Sequence, residues 1–231
     1  MAIIGAGSAG ITAARFANRL GKRVALIEAN RVGGDCTWTG CVPSKSLLHA
    51  ASVANTVRSA SHAGITVSPP TIDFAAVMAR IRDVIGQIYS SESPDALRTE
   101  GIDVIEGHAA FTGSRSIAAA GRSIYAKSFL ICTGASPFIP PIPGLKITPI
   151  LTYESFWQLD ALPARLIVVG GGPIGCEISQ ACQRLGSQVT LVEALDRILP
   201  NDDTDAARLV EAALIADGVD VRLSPRWNRC D

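Results

Sequence analysis

Two cysteines, Cys36 and Cys41, stand close together in the stretch Gly33-Gly34-Asp35-Cys36-Thr37-Trp38-Thr39-Gly40-Cys41-Val42-Pro43-Ser44-Lys45. The other four of the six cysteines, Cys132, Cys176, Cys182 and Cys230, stand singly. Six in 231 residues are too few and too unevenly placed for a secreted disulfide scaffold. In a reducing compartment a close pair is more often redox-active or metal-binding than structural. Residues five apart in an ideal helix have Cα atoms roughly 8–9 Å from each other, beyond the ~7 Å reach of a disulfide, so a bridge here requires a distorted segment. Gly40, which tolerates unusual φ, and Pro43, which blocks regular helix bonding, supply the means. Strain would make such a bridge easier to reduce. The alternatives are a reduced pair in a glycine-rich loop and a zinc site. The zinc reading lacks C-x-x-C spacing and a second ligand pair, because His49, His62 and His108 stand alone.

Directly before the pair, Ala2-Ile3-Ile4 reads as a short strand running into the G-x-G-x-x-G turn of Gly5, Gly7 and Gly10. A helical pattern from Ile11 to Leu20 and a second strand, Val24 to Ile27, follow, ending in Glu28. In such a βαβ unit the glycines allow a tight turn and close backbone approach. The helix N-terminus faces a pyrophosphate, and the acid takes ribose hydroxyls. One glycine turn is weak evidence, but the pattern recurs. Leu166 to Val169 leads into Gly170, Gly172 and Gly175, a helix runs to about Leu185, and Val189 to Val192 ends in Glu193. Gly5 to Glu28 and Gly170 to Glu193 both span 23 positions. Two nucleotide sites are expected.

Between the copies the periodicity predicts a helix over 73–90 and another opened by Ser93-Pro94, an N-cap followed by proline. Short strands are expected near Val104-Ile105, Ser116–Ala118, Ser123–Tyr125 and Phe129–Ile131. The proline-rich stretch from Gly134 to Pro149 reads as the inter-domain connection. After Glu193 come a helix over 204–216, a strand over 219–223, and residues 224–231 with no periodicity. The expected fold is α/β: a Rossmann-like domain over 1–148 carrying the cysteine pair, then an incomplete Rossmann-like domain over 149–231.

Apolar residues are 48% of the chain, charged residues 18%, and 21 basic side chains balance 21 acidic ones. That composition supports a folded core and argues against a nucleic-acid surface. No apolar run reaches the ~20 residues of a membrane span, and Met1 to Gly10 lacks the basic start of a signal peptide, so a cytoplasmic protein is expected.

The order G-x-G-x-x-G, acid, G-G-x-C-x-x-x-x-C-x-P-S-K, a later Thr133-Gly134-Ala135, and a second G-x-G-x-x-G resembles the pyridine nucleotide-disulfide oxidoreductases. That family includes dihydrolipoamide dehydrogenase, mercuric reductase and glutathione reductase, and the likeness covers nearly the whole chain. It implies that Gly5, Gly7, Gly10, Glu28 and Gly34 hold FAD, with Ala109 near the adenine and Thr133-Gly134 closing over the cofactor. Gly170, Gly172, Gly175 and Glu193 would hold NAD(P)H. Cys41 would be the sulfur beside the flavin and Cys36 the interchange thiol. Lys45, paired with Glu177, would stabilise negative charge on the reduced flavin. Glu193 favours NADH, since a carboxylate suits a free ribose hydroxyl and repels a 2′-phosphate, although Arg197 lies close by.

The implied activity is electron transfer from NAD(P)H through FAD to a Cys36–Cys41 disulfide and on to a small-molecule disulfide, dithiol or metal-ion acceptor, with no resident metal. The chain departs from the family pattern at Asp35 and Thr37-Trp38-Thr39, beside the interchange thiol. The family's later Gly-Asp segment and its C-terminal homodimerisation domain, with a His-Glu acid/base, have no counterpart in the sequence. A truncated product is therefore expected, and the alternative reading is a non-catalytic remnant that binds FAD or another adenine nucleotide.

Overall fold

The computed structural model describes residues 1–224; the stretch 225–231, for which no periodicity is expected, and with it Cys230, lies outside the described residues. In chain order the elements begin β1 (Ala2–Ile4), α1 (Ser8–Arg19), β2 (Ala25–Glu28), α2 (Gly34–Trp38), α3 (Cys41–Ser59), α4 (Phe74–Ser90) and α5 (Pro94–Thr99). There follow β3 (Asp103–Glu106), β4 (Ala110–Gly113), β5 (Ser116–Ala119), β6 (Arg122–Tyr125) and β7 (Phe129–Ile131). The last are β8 (Arg165–Val169), α6 (Pro173–Leu185), β9 (Gln188–Glu193), α7 (Thr204–Ala216) and β10 (Asp220–Leu223). The chain divides into two compact units: Met1–Pro43 with Arg82–Trp157, and Ser44–Ile81 with the residues from Gln158 onward.

In the first unit a parallel sheet of order β3-β2-β1-β7 is joined by an antiparallel sheet of order β4-β5-β6. Successive residues of a strand point to opposite faces, and both faces here are covered. Ile3, Leu26 and Val104 pack on one side with Ile11, Ala14 and Ala17 of α1 and Leu97 of α5. Ala2, Ile27 and Ile105 pack on the other with Ile117 and Ala119 of β5. The α1 positions Gly10, Ala14 and Ala17 are buried at helical spacing, which lays the helix along the strands.

The second unit contains a parallel sheet of order β10-β9-β8, connected through α6 and α7 in a βαβαβ path. Val189 and Leu191 of β9 are buried, as are Ala181, Cys182 and Leu185 of α6 and Ala207 and Leu214 of α7. The side chain of Asp203 caps α7, accepting from the backbone N–H groups of Asp205 and Ala206 at 3.0 and 3.1 Å. Ser93 caps α5 in the same way, accepting from Ala96 N–H at 3.2 Å, with Pro94 as the first helical residue. Beyond the expected elements the fold contains the five-residue helix α2, α3, a helix of 19 residues, and the exposed strand β4.

Candidate functional site

In the first unit the glycine turn is built by close backbone approach. Gly5 has φ of +100°, and a methyl group on it would lie 2.1 Å from the carbonyl oxygen of Cys132. A methyl on Gly10 would lie 1.8 Å from the carbonyl oxygen of Gly5, so only glycine lets α1 start against the end of β1. Gly34, with φ of +58°, passes so near Gly7 that an added methyl would meet the Gly7 Cα at 2.6 Å. Glu28 braces the turn: one carboxylate oxygen accepts from Ala6 N–H at 2.6 Å, the other from Asn30 N–H at 2.8 Å.

The helix ends supply the electrostatics. Whereas α5 and α7 are capped by their own side chains, α1 has Gly7 as N-cap, no side-chain cap and no acid in its first turn. Its leading N–H groups and the positive end of its dipole are left for an external anion. A cavity of about 690 Å³ opens there, within the range of about 300–1,000 Å³ usual for small-molecule and cofactor sites. Gly5, Gly7, Glu28, Gly34, Ala109, Thr133 and Gly134, all expected from the sequence, line it. Gly10 lies beneath the turn and acts through packing. Asn30, Arg31, Cys132 and Glu154 also line the cavity and carry no motif that would have singled them out.

Of the two cysteines, Cys36 holds a free thiol, is half-buried and lines this cavity, while Cys41 is exposed at the first residue of α3. The segment between them is tightened in a way the spacing alone did not give. The carbonyl oxygen of Asp35 accepts from both Thr39 N–H at 2.8 Å and Gly40 N–H at 2.5 Å, so α2 ends in a wide turn that folds back on itself. Gly40 is needed there for proximity: a methyl on it would lie 2.9 Å from Asp35 O and 3.4 Å from the Cys36 Cα, and its φ is not in the left-handed region. Pro43 likewise does not interrupt a helix. It sits in the first turn of α3, where a missing N–H costs nothing, and so begins one.

The remaining described cysteines differ in environment. Burial pushes the Cys176 thiol up to about 11, with Glu177 and Glu193 adding to the shift, and burial pushes Cys182 to about 12. Both stay protonated at neutral pH and are poor nucleophiles.

The second unit repeats the turn. Gly170 has φ of +110°, a methyl on Gly175 would lie 1.9 Å from Gly170 O, and α6 starts at the uncapped Gly172 with no acid in its first turn. Buried Glu193 repeats Glu28, accepting from Gly171 N–H at 2.6 Å and Leu195 N–H at 2.9 Å. In both copies the acid's first task is to hold the glycine turn, a role the sequence reading had not assigned. Two hydrogen bonds still leave a carboxylate about two acceptor positions for a ligand hydroxyl. Arg197 turns to its own loop, donating to Thr204 Oγ1 and to Pro200 O, both at 2.6 Å. Lys45 and Glu177, 132 positions apart, form an ion pair.

A model of the pyridine nucleotide-disulphide oxidoreductases matches residues 1–230. Among curated proteins, a mercuric reductase of Staphylococcus aureus is 35% identical over 219 residues, covering 95% of this chain and 40% of the relative. A dihydrolipoyl dehydrogenase of Bacillus subtilis is 36% identical over 237 residues, covering 100% of this chain and 52% of the relative. Among solved structures, the HOCl-induced flavoprotein disulfide reductase RclA of Escherichia coli superposes with a TM-score of 0.80 at 33% identity, over 97% of this chain and 49% of that one. The chain thus spans about half the length of the proteins it is similar to.

Proposed function

The chain belongs to the pyridine nucleotide-disulphide oxidoreductase family, and from that premise we propose that it is the front portion of an enzyme passing electrons from NADH through FAD to a Cys36–Cys41 dithiol/disulfide couple. The observation that carries this reading is the doubled glycine turn, each copy opening an uncapped helix end over a braced carboxylate. The first unit suits FAD: the cavity has the volume for a dinucleotide, α1 offers its N–H groups to a pyrophosphate, and Gly7 and Gly34 clear its floor. Bound there, FAD would supply the acceptor for nicotinamide hydride and the donor of an electron pair to sulfur.

The dithiol chemistry belongs to the chain's own residues. The Cys36 thiolate attacks one sulfur of an acceptor disulfide, whose other half leaves as a thiol once protonated. Cys41 then attacks Cys36 in the mixed disulfide, releasing the second thiol and closing the bridge. Cys41 is the first residue of a 19-residue helix. Lys45 stands one turn further along the same helix. Its partner Glu177 fixes the ammonium, and we assign the pair to balancing charge that develops during reduction.

The test is the visible spectrum of the purified chain under anaerobic NADH. Retained flavin absorbance that bleaches with NADH is expected. A colourless protein that takes up no added FAD would leave only the nucleotide-binding remnant.

We infer the nicotinamide choice from the second unit. Glu193 is fixed by two backbone N–H groups and Arg197 is committed to Thr204 and Pro200, so a 2′-phosphate would meet a buried carboxylate that Arg197 does not offset. NADH is expected to bind at least about tenfold more tightly than NADPH, measured by fluorescence titration, and Glu193→Ala to narrow the gap. Equal affinities in the parent would refute the assignment of Glu193.

A further inference from the structure

Between Cys36 and Cys41 every residue but Gly40 is held by a side-chain hydrogen bond or, at Thr39, through its carbonyl. Thr37 Oγ1 donates to Glu92 at 2.6 Å, and Trp38 Nε1 donates to Val32 O at 2.8 Å. Two further ties come from the far end of the first unit. The Tyr153 hydroxyl donates to the Asp35 carboxylate at 3.3 Å, and Trp157 Nε1 donates to Thr39 O at 2.8 Å, each across 118 positions of sequence. These two ties straddle the wide turn, one on the residue before Cys36, the other two residues before Cys41. Burial, and then the charge of Asp35, push the Tyr153 hydroxyl above its usual value, so it remains a donor. Trp157 is fixed in turn by edge-on packing against Phe156, with ring centroids 5.1 Å apart.

Resting on the dithiol reading, we infer that Tyr153 and Trp157 are positioning residues that hold the inter-cysteine turn folded and thereby set the redox equilibrium of Cys36 and Cys41. An open dithiol on an untied loop gains conformational freedom, which favours the reduced form. With both ends of the turn gripped, little freedom is gained when the bridge opens, and the effective concentration of one thiol at the other stays high. The grip therefore favours the disulfide. Asp35 and the Thr37-Trp38-Thr39 stretch, which the two ties grip, are also where this sequence departs from its family's pattern.

The full-length chain is equilibrated in glutathione buffers of graded ratio. In each exchange Cys36 and Cys41 lose two protons and two electrons to glutathione disulfide, which leaves as two glutathione thiols. The bridged fraction is read by alkylation and mass spectrometry of the peptide carrying both cysteines. Tyr153→Phe keeps its ring and loses only the hydroxyl donor, Trp157→Phe loses the indole N–H donor while keeping an aromatic ring, and each is expected to shift the equilibrium toward the dithiol by about two- to tenfold. Tyr125→Phe, at a side chain 80% exposed, is expected to leave it unchanged. A parent chain that forms the 36–41 bridge, with both variants at the parental equilibrium and parental circular dichroism, overturns the inference alone. A parent chain that never forms that bridge overturns the functional reading and the inference with it.

Discussion

Cys36→Ser and Cys41→Ser are each expected to take up one electron pair fewer than the parent in an anaerobic dithionite titration, and to lose NADH-driven reduction of an added disulfide down to background. Serine matches the cysteine in size but cannot accept an electron pair by forming or breaking a disulfide, so the exit route closes while the nucleotide turns are untouched. The two variants should differ in what remains. Cys41 is exposed at the first residue of α3, so Cys36→Ser leaves a thiol within reach of an alkylating reagent. Cys41→Ser leaves the half-buried Cys36, which should alkylate more slowly. Cys176 and Cys182, held protonated by burial, should contribute no reactive thiol to either measurement at neutral pH. An undiminished electron uptake in both variants would remove this pair from the reaction and leave the flavin as the last carrier.

The second large effect comes from two alanines at equivalent places. In Gly10→Ala the new methyl would fall 1.8 Å from Gly5 O, and in Gly175→Ala 1.9 Å from Gly170 O. The obstacle is backbone in each case, so no rotamer relieves it and the helix must back away from its strand. Overpacking of this kind costs about 1–3 kcal/mol or more, against a typical net stability of about 5–15 kcal/mol. The variants should therefore fold, with their turns displaced. Gly10→Ala is expected to purify without flavin. Gly175→Ala is expected to keep its flavin, to bleach with dithionite, and to fail to bleach with NADH. The reverse pattern would exchange the nucleotides between the two turns.

The repeated turns were legible because their signals are local. Glycine turns and helix starts such as Ser93-Pro94 are fixed within a few residues, and the acid at the end of the following strand recurs 23 positions after the first glycine in both copies. The residues that shape the cysteine turn were not legible for the opposite reason. Tyr153 and Trp157 reach Asp35 and Thr39 across 118 positions, and nothing about a tyrosine or tryptophan in an irregular stretch announces such a partner. The helix α3 was missed because Pro43 was read as a breaker, when its place in the first turn makes it a starter. Arg197 shows the limit of proximity in sequence: four positions from Glu193, it is turned onto the loop before α7. The strand β4 was missed because all four of its residues are exposed, so no alternation of apolar and polar residues marks it.

The sheet of the second unit carries a consequence for handling the protein. Among the described residues β8 pairs with β9 alone, and along it Ile167 is 69% exposed and Val169 50% exposed. Arg165 at its start is its one charge. A flat apolar edge whose backbone groups face outward is a template on which other extended segments can add. The same strand that delivers the chain to the second glycine turn is thus also a place where another extended segment can add by backbone pairing, whatever the redox state of the cysteines.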